Sequence, residues 1–563
     1  MLDLIIRNGT IVDGSGLPSY RGDVGIAGGR IVSVGRSLAS VEAPWTIDAA
    51  GRVVAPGFID PHTHIDAQIL FDRYAYPLIE HGVTTAVTGN CSLSMAPVRT
   101  SERERFSAMF RLIEEMPEAA FAQGVDWGWG ESFEGLVERM AADTALNLAP
   151  LVGHSVLRMF VLGPDVRRLS TATEIVTMCD ILRACLDAGA VGLSTSYIDV
   201  EDDLLPVPCR WSQHAELEAL CAVLGEKGRM LQVVHEFFDS GLTVSRVEMM
   251  ADLSIRYGIP TTLSPLFHSS AAPKAPGIVL EGVEKAWARG ARVWPQVQTR
   301  PIDISWTLDQ RSIMFLVIPG WWPILSLPDK AVKLAALRDP ATRQKLIDGL
   351  DALAARPGSQ FNAAGFVIRE TVLDRNADLV GQTLGEVAAD RGTTAAEALL
   401  DLAVEEDLGT WFIRANTGHV DADAVGGLLS HPYVHIGASD AGAHVGSFST
   451  YGDTGHLFSR FVRETGALRL EEAVKRITAD PARIWGLDGR GSLQEGYAAD
   501  VVVFDPATID RGPEVASDDF PGAGKRWIRH SVGVDTVIVN GALTWSKDGG
   551  YEKSARAGVI ASA

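Results

Sequence analysis

The amino-acid sequence predicts an α/β protein: a (β/α)8 TIM-like barrel joined to a composite β-sandwich that both chain termini build. Three observations lead there. Through the middle of the chain, eight short apolar runs alternate with helix-like stretches, the pattern of parallel strands buried on both faces. The first fifty or so residues and the stretch after about 499 have another texture, β-branched pairs broken by Asn-Gly or Gly-Gly, which suits short antiparallel strands. No GxGxxG or phosphate-binding loop follows any apolar run, so a doubly wound nucleotide-binding sheet is disfavoured.

Taken in chain order, DLIIRNGTIVDG places Asn8-Gly9 between β-branched pairs and GDVGIAGGRIVSVG places Gly28-Gly29 likewise, so each predicts a hairpin turn. The barrel strands are predicted in RVVAPGFID, TTAVTGNC, NLAPLVGH, AVGLSTS, MLQVVHEF, IPTTLSPLF, ARVWPQVQ and YVHIGASD, with helices such as ATEIVTMCDILRACLDAG and HAELEALCAVLGEKG between them. From about 300 to 432 the connection is too long for one βα unit, and it carries Trp306, Trp321 and Trp322. We place an inserted lid or subdomain at about 300–365, over the barrel mouth. ADVVVFDP and DTVIVNGALTW, the latter turning at Asn540-Gly541, return to the antiparallel texture. The expected division is therefore 1–54 and 491–563 for the two parts of the sandwich, and 55–490 for the barrel.

Composition narrows the partners. The 563 residues carry 50 Lys and Arg against 71 Asp and Glu, a net charge of -21 with no acidic tail. Nucleic acid and anionic membrane both need concentrated basic residues and are not expected as partners. MFLVIPGWW is among the longest apolar runs and is far short of a span. The opening MLDLIIRNGTIVDG lacks a signal-peptide pattern, and five cysteines without framework spacing suit a reducing compartment. A cytoplasmic protein is expected.

The chemistry gathers at predicted strand ends. In PGFIDPHTHID, His62 and His64 lie two residues apart, so along an extended chain they point the same way. They follow the first barrel strand, at the end where barrel enzymes build their sites. Cys91 ends the second candidate strand, His154 the third, and Asp440 the last, while His235 sits in the fifth. Imidazole, thiolate and carboxylate at one end of a barrel make a ligand set suited to zinc with an open position for water.

PGFIDPHTHID, GVTTAVTGNCS, VGHSVLR, GAVGLSTSYI, the VVHEF strand, IGASDAG and RITADPARIWGLDGRGSLQEGYAADVVVFDP together resemble the amidohydrolase superfamily, and within it the D-aminoacylase (N-acyl-D-amino-acid deacylase) branch. The resemblance runs nearly end to end. It implies metal ligation by His62, His64, Cys91, His235 and Asp440, with one zinc expected and a second allowed. None of the candidate strands ends in the lysine that bridges two metals in many superfamily members, and Cys91 resembles the cysteine that takes its place in the deacylases. The implied reaction is hydrolysis of a non-peptide amide by metal-activated water, with Asp440 holding the proton and His154 or a backbone donor helping the oxyanion. Ser155, Arg158, Tyr197 and His268 are candidate substrate contacts, and a small-molecule amide and a homo-oligomer are the expected partners.

Two stretches depart from the branch. The sixth strand reads TTLSPLFHSS, with Pro265 where the deacylases have a metal-binding histidine and His268 three residues on. After Asp440 the chain reads SFSTYG, with Ser449 where the branch carries an arginine for the substrate carboxylate. With the tryptophans, this predicts a preference for neutral or bulky amides. A hydrolase of cyclic amides, lactones, esters or carbamates is the alternative, and a non-catalytic scaffold a further one.

Overall fold

The computed structural model describes residues 1–561 apart from 36, 37, 39, 238, 317, 357–360 and 438. All eight predicted barrel strands are present: β1 (Phe58–Asp60), β2 (Val83–Thr88), β3 (Asn147–Gly153), β4 (Gly192–Ser196), β5 (Met230–Val234), β6 (Thr261–Ser264), β7 (Val293–Val297) and β8 (His435–Ile436). They pair in sequence order in one parallel sheet, and a parallel bridge between Thr63 and Ala441 brings its two edges together. Every residue in these strands is buried, which explains why they are mostly apolar or small, with single polar residues such as Asn147, Gln232 and Gln296 held inside the barrel.

The connecting helices are closed by local chemistry. Thr171 and Glu174 form a capping box at the start of Ala172–Asp187, and Gly228 takes the left-handed conformation that ends His214–Lys227. Among the described residues no helix is long and apolar enough to cross a membrane.

The termini merge into one nine-stranded sheet. Its centre is Val53–Pro56, which pairs in parallel with Leu4–Ile11 and antiparallel with Val501–Phe504. Ile6, Ile11, Val24, Val54 and Val501 belong to a separate small core there. The turns predicted at Gly28-Gly29 and Asn540-Gly541 join neighbouring strands as expected. Asn8-Gly9 does not turn the chain. It lies inside Leu4–Ile11, where the register shifts between Ile6 and Gly9 and Asn8 has φ 61°, a bulge. A Cβ at Gly9 would sit 2.4 Å from the Val54 side chain, so glycine is needed for the strands to approach. A long hairpin, Asp510–Phe520 with Gly524–Val532, was not anticipated from the sequence.

The insertion is larger than the 300–365 expected. Its three-stranded sheet joins Ile304–Trp306, Val367–Glu370 and Trp411–Arg414, and its own core runs from Trp306 to Phe412. Trp306 packs on Phe315, Phe366 and Phe412, and Trp321 stacks on Phe315. Trp306 and Trp321, expected at the barrel mouth, are the interior of the insertion, because a unit of this size must bury a core of its own; Trp322 is buried under Arg311, which pairs with Asp202 of the loop after β4.

Candidate metal centre

His62 and His64 leave the end of β1 in an extended segment that hydrogen-bonds on both sides. Thr63 N donates to Val87 O and His64 N to Ala441 O, so β2 and the segment after β8 hold the two histidines in register. Cys91 and Ser92 follow β2 with φ of 55° and 68°, and Asp440 follows β8 with φ 66°. Left-handed backbone at non-glycine residues costs about 1–3 kcal/mol each and clusters where side chains must be aimed.

The aim is mutual. His62 Nε2 and His64 Nε2 lie 3.2 Å apart, and Cys91 Sγ lies 3.4 Å from the first and 3.5 Å from the second. Asp440 Oδ1 is 3.5 Å from His62 Nε2 and 3.2 Å from His64 Nε2. The other ring nitrogens face outward partners: His62 Nδ1 meets Gln296 Oε1 at 2.8 Å and His64 Nδ1 meets Glu114 Oε1 at 2.9 Å. Both histidines therefore present Nε2 to one point, with the outer contacts that fix tautomer and ring orientation at metal sites. Two imidazoles, a thiolate and a carboxylate fit zinc. Three of these, His62, His64 and Cys91, have ligand atoms all within 4.8 Å of one another.

The electrostatics show how closely these four groups are coupled. Burial holds His62 down to about 4, keeping the imidazole neutral and able to ligate. Burial pulls His64 down too, but Glu114, Cys91 and Asp440 lift it well above the ordinary range. Burial pushes the Cys91 thiol up, so without a cation beside it the thiol stays protonated. Asp440 is raised by burial yet held below the carboxylate range by His64, His62 and His444.

His235 does not join this set. Its Nε2 lies 3.1 Å from the Pro265 carbonyl and its Nδ1 3.2 Å from Thr243 Oγ1, so the residue that replaces a histidine at the end of β6 supplies only a backbone acceptor. His268 is buried, its carbonyl accepting from His419 N. It lies outside the converging set.

Three sequence-derived candidates are enclosed in the protein interior. His154 begins the helix His154–Leu162, and both ring nitrogens are engaged, Nδ1 with Thr195 Oγ1 at 3.0 Å and Nε2 with Glu216 Oε1 at 2.8 Å. Arg158 donates to the other oxygen of Glu216 and to Ser170 Oγ. Ser155 Oγ shares a hydrogen bond with Ser92 Oγ and accepts from Cys209 N. All three are wholly buried, so neither oxyanion help from His154 nor substrate contact by Ser155 or Arg158 is open. The helix starts as soon as β3 ends, which carries His154 and Arg158 onto Glu216 of helix His214–Lys227, while Ser155 packs against Ser92 beside Cys91. Tyr197 is half-buried, its ring beneath the Arg246 guanidinium at 3.6 Å and its hydroxyl on Met249 Sδ.

Residues not singled out from the sequence complete the surroundings. Besides Glu114 and Gln296, His444 Nε2 lies 3.8 Å from Asp440 Oδ2, and Asp199, three residues past β4, is half-buried. Position could have flagged these last two, since both follow strand ends closely. Ser449 is buried, and beside it Tyr451 OH accepts from Arg526 of the long hairpin, which is paired with Asp519.

Residues 46–544 match the model of an amidohydrolase family. The chain is 28% identical over 565 residues to a D-aminoacylase of Alcaligenes xylosoxydans xylosoxydans, covering 97% of this chain and 95% of that one. It is 30% identical over 552 residues to an N-acyl-D-glutamate deacylase of the same organism, covering 97% and 94%. Among solved structures, the N-acyl-D-glutamate deacylase of Bordetella bronchiseptica, complexed with zinc and a phosphonate mimic of the tetrahedral intermediate, aligns over 100% of both chains with TM-score 0.68 and 27% identity. A D-aminoacylase studied for its binuclear metal centre, with one-metal activation and second-metal attenuation, aligns over 100% of both with TM-score 0.67 and 27% identity.

Proposed function

From the premise that the chain belongs to the amidohydrolase family, we propose that it deacylates N-acylated amines at the His62–His64–Cys91–Asp440 centre, favouring substrates without a free carboxylate. It is a metal-dependent hydrolase acting on carbon–nitrogen bonds other than peptide bonds. The observation that carries the site assignment is the convergence of four donor atoms with both outer imidazole nitrogens already held.

A zinc bound there supplies a Lewis acid that acidifies water and polarises a carbonyl. The chain's own work is then proton handling and exclusion of water. Asp440, ionised and facing both Nε2 atoms, accepts the proton that the attacking water loses and returns it to the leaving nitrogen. His444 borders its second oxygen. Gln296 and Glu114 keep the imidazoles from rotating.

The relatives are deacylases of acyl-D-amino acids by name, and the acyl-amide chemistry is taken from them. The carboxylate preference is not. Ser449 replaces the arginine expected there; of the cations that could stand in for it, Arg300 is paired with Asp453 and Arg311 with Asp202, Lys274 is exposed, and Arg246 is paired with Glu236. The buried tryptophans give no support to a bulky apolar pocket, so the preference rests on charge alone. The test is kcat/KM for an N-acyl-D-amino acid against its carboxamide in protein of known zinc content. The carboxamide should be favoured at least about tenfold, the worth of one charge-assisted pair. A preference for the free acid would overturn the proposal.

A further inference from the structure

Asp199 lies on the connection after β4, and the chain spends several bonds on fixing it. Its N–H donates to Ser196 Oγ at 3.1 Å, and its carbonyl accepts from Val207 N and from Arg210 Nη1. The loop is pinched shut behind it by the Val200–Pro206 bridge and by Arg105 and Arg167 on Glu201. The side chain at the head of this rigid loop is nevertheless unfinished: Oδ2 is buried and has no hydrogen-bond partner among the described residues. Buried carboxylate oxygens are paired as a rule, and a lone one marks a ligand position or a cost of a few kcal/mol.

The surroundings say what would complete it. The carboxyl feels burial first, which lifts it to about 6; a hydrogen bond with Ser196 opposes that, Glu114 adds to the lift, and His64 and His444 oppose it. Asp199 follows β4 at the barrel end where Cys91 follows β2 and Asp440 follows β8, which puts it on the same mouth as the metal centre. Two anionic ligands, Cys91 and Asp440, suffice to neutralise one zinc ion. Glu114 is buried against His64, so Asp199 is the surplus negative charge at the mouth, and Arg246, Arg300 and Arg311 are spent on other carboxylates.

Building on the function proposed above, we propose that Asp199 is the specificity residue of this site, accepting from an ammonium or guanidinium on the substrate, so that the preferred substrate is an N-acylated polyamine-like or basic amine. A fixed carboxylate in a half-buried site binds such a group with a charge-assisted bond and repels a substrate carboxylate by like charge. The cationic end lies toward β4 and the scissile amide toward Asp440.

The experiment uses the zinc-loaded full chain with N-acetylcadaverine and N-hexylacetamide, which differ in a terminal ammonium against a methyl group. The wild type should favour the cation in kcat/KM at least about tenfold, and Asp199→Asn should bring the ratio toward one, a loss of about ten- to a hundred-fold. Calorimetry with pentylammonium chloride, which has no amide to cleave, gives a second reading: binding to the wild type and at least about tenfold weaker binding to Asp199→Asn. A wild-type ratio near one, a ratio unchanged in Asp199→Asn, or equal pentylammonium binding by both proteins would overturn the proposal. Should neither amide be cleaved, the deacylase reading fails by itself, and pentylammonium binding still decides the role of Asp199.

Discussion

Glu114 offers the sharpest test of the metal centre, because it touches no substrate and would bind no metal itself. Its side chain is 1% exposed and Oε1 lies 2.9 Å from His64 Nδ1, while no other donor reaches either oxygen among the described residues. The contact is short but bent, since it meets the distance for a hydrogen bond without the angle. A charge-assisted hydrogen bond is worth about 1.5–3 kcal/mol, and the bend places this one at the lower end. Glu114→Gln keeps shape and an acceptor oxygen but removes the charge, so zinc affinity should fall about tenfold, or ~1.4 kcal/mol. Glu114→Ala also frees the His64 ring and should fall nearer a hundredfold, the upper range for outer partners of metal-bound histidines. Competition against a chromophoric chelator reads both values, with circular dichroism verifying the fold. Affinity for zinc within twofold of wild type in both variants would show that His64 is not a ligand held by Glu114.

Cys91→Ser should lower zinc retention through dialysis, and wild-type Cys91 should resist alkylation until a chelator is added; normal retention by the variant would remove Cys91 from the ligand set. His235→Ala should keep one zinc per chain by elemental analysis, because His235 already faces the Pro265 carbonyl and Thr243; loss of that zinc would refute the single-point assembly. Asp440→Ala should cut turnover by several orders of magnitude while circular dichroism stays unchanged, and retained activity would exclude it as the proton carrier. Glu216 is raised by burial but brought to about 2 by His154 and Arg158, against an ordinary 4.5. Its folded value is depressed, so its stabilisation, about 3 kcal/mol, is complete above about pH 4.5 and lost as pH falls toward 2. Urea unfolding of Glu216→Gln across that window should lack this acid-dependent component and show lower stability at neutral pH; an unchanged pH slope would refute it.

The strands were legible because burial on both faces leaves only one kind of residue to use, and His62 and His64 were legible because period two is a property of any extended chain. What failed had local patterns with more than one physical outcome. Asn8-Gly9 serves a bulge as well as a turn, and only the approach of Val54 decides between them. His154 follows a strand as His62 does, but there the chain coils at once into a helix and aims the ring at Glu216. Tryptophans announce burial without saying where, and here they bury one another's neighbours inside the insertion. Glu114 closes a helix and looks like any acidic helix residue; its meaning comes from His64, fifty residues earlier.

The nine-stranded sheet also sets a schedule for biosynthesis. Val53–Pro56 emerges early, yet its antiparallel neighbour Val501–Phe504 is about 450 residues later in the chain. At about 5–20 residues per second, the ribosome needs roughly 20–90 s to deliver that partner. For that time an apolar strand edge stands open on a nascent chain, a template for pairing with other chains. Expression at lower translation load, or with chaperones that shield strand edges, should therefore raise the yield of folded protein.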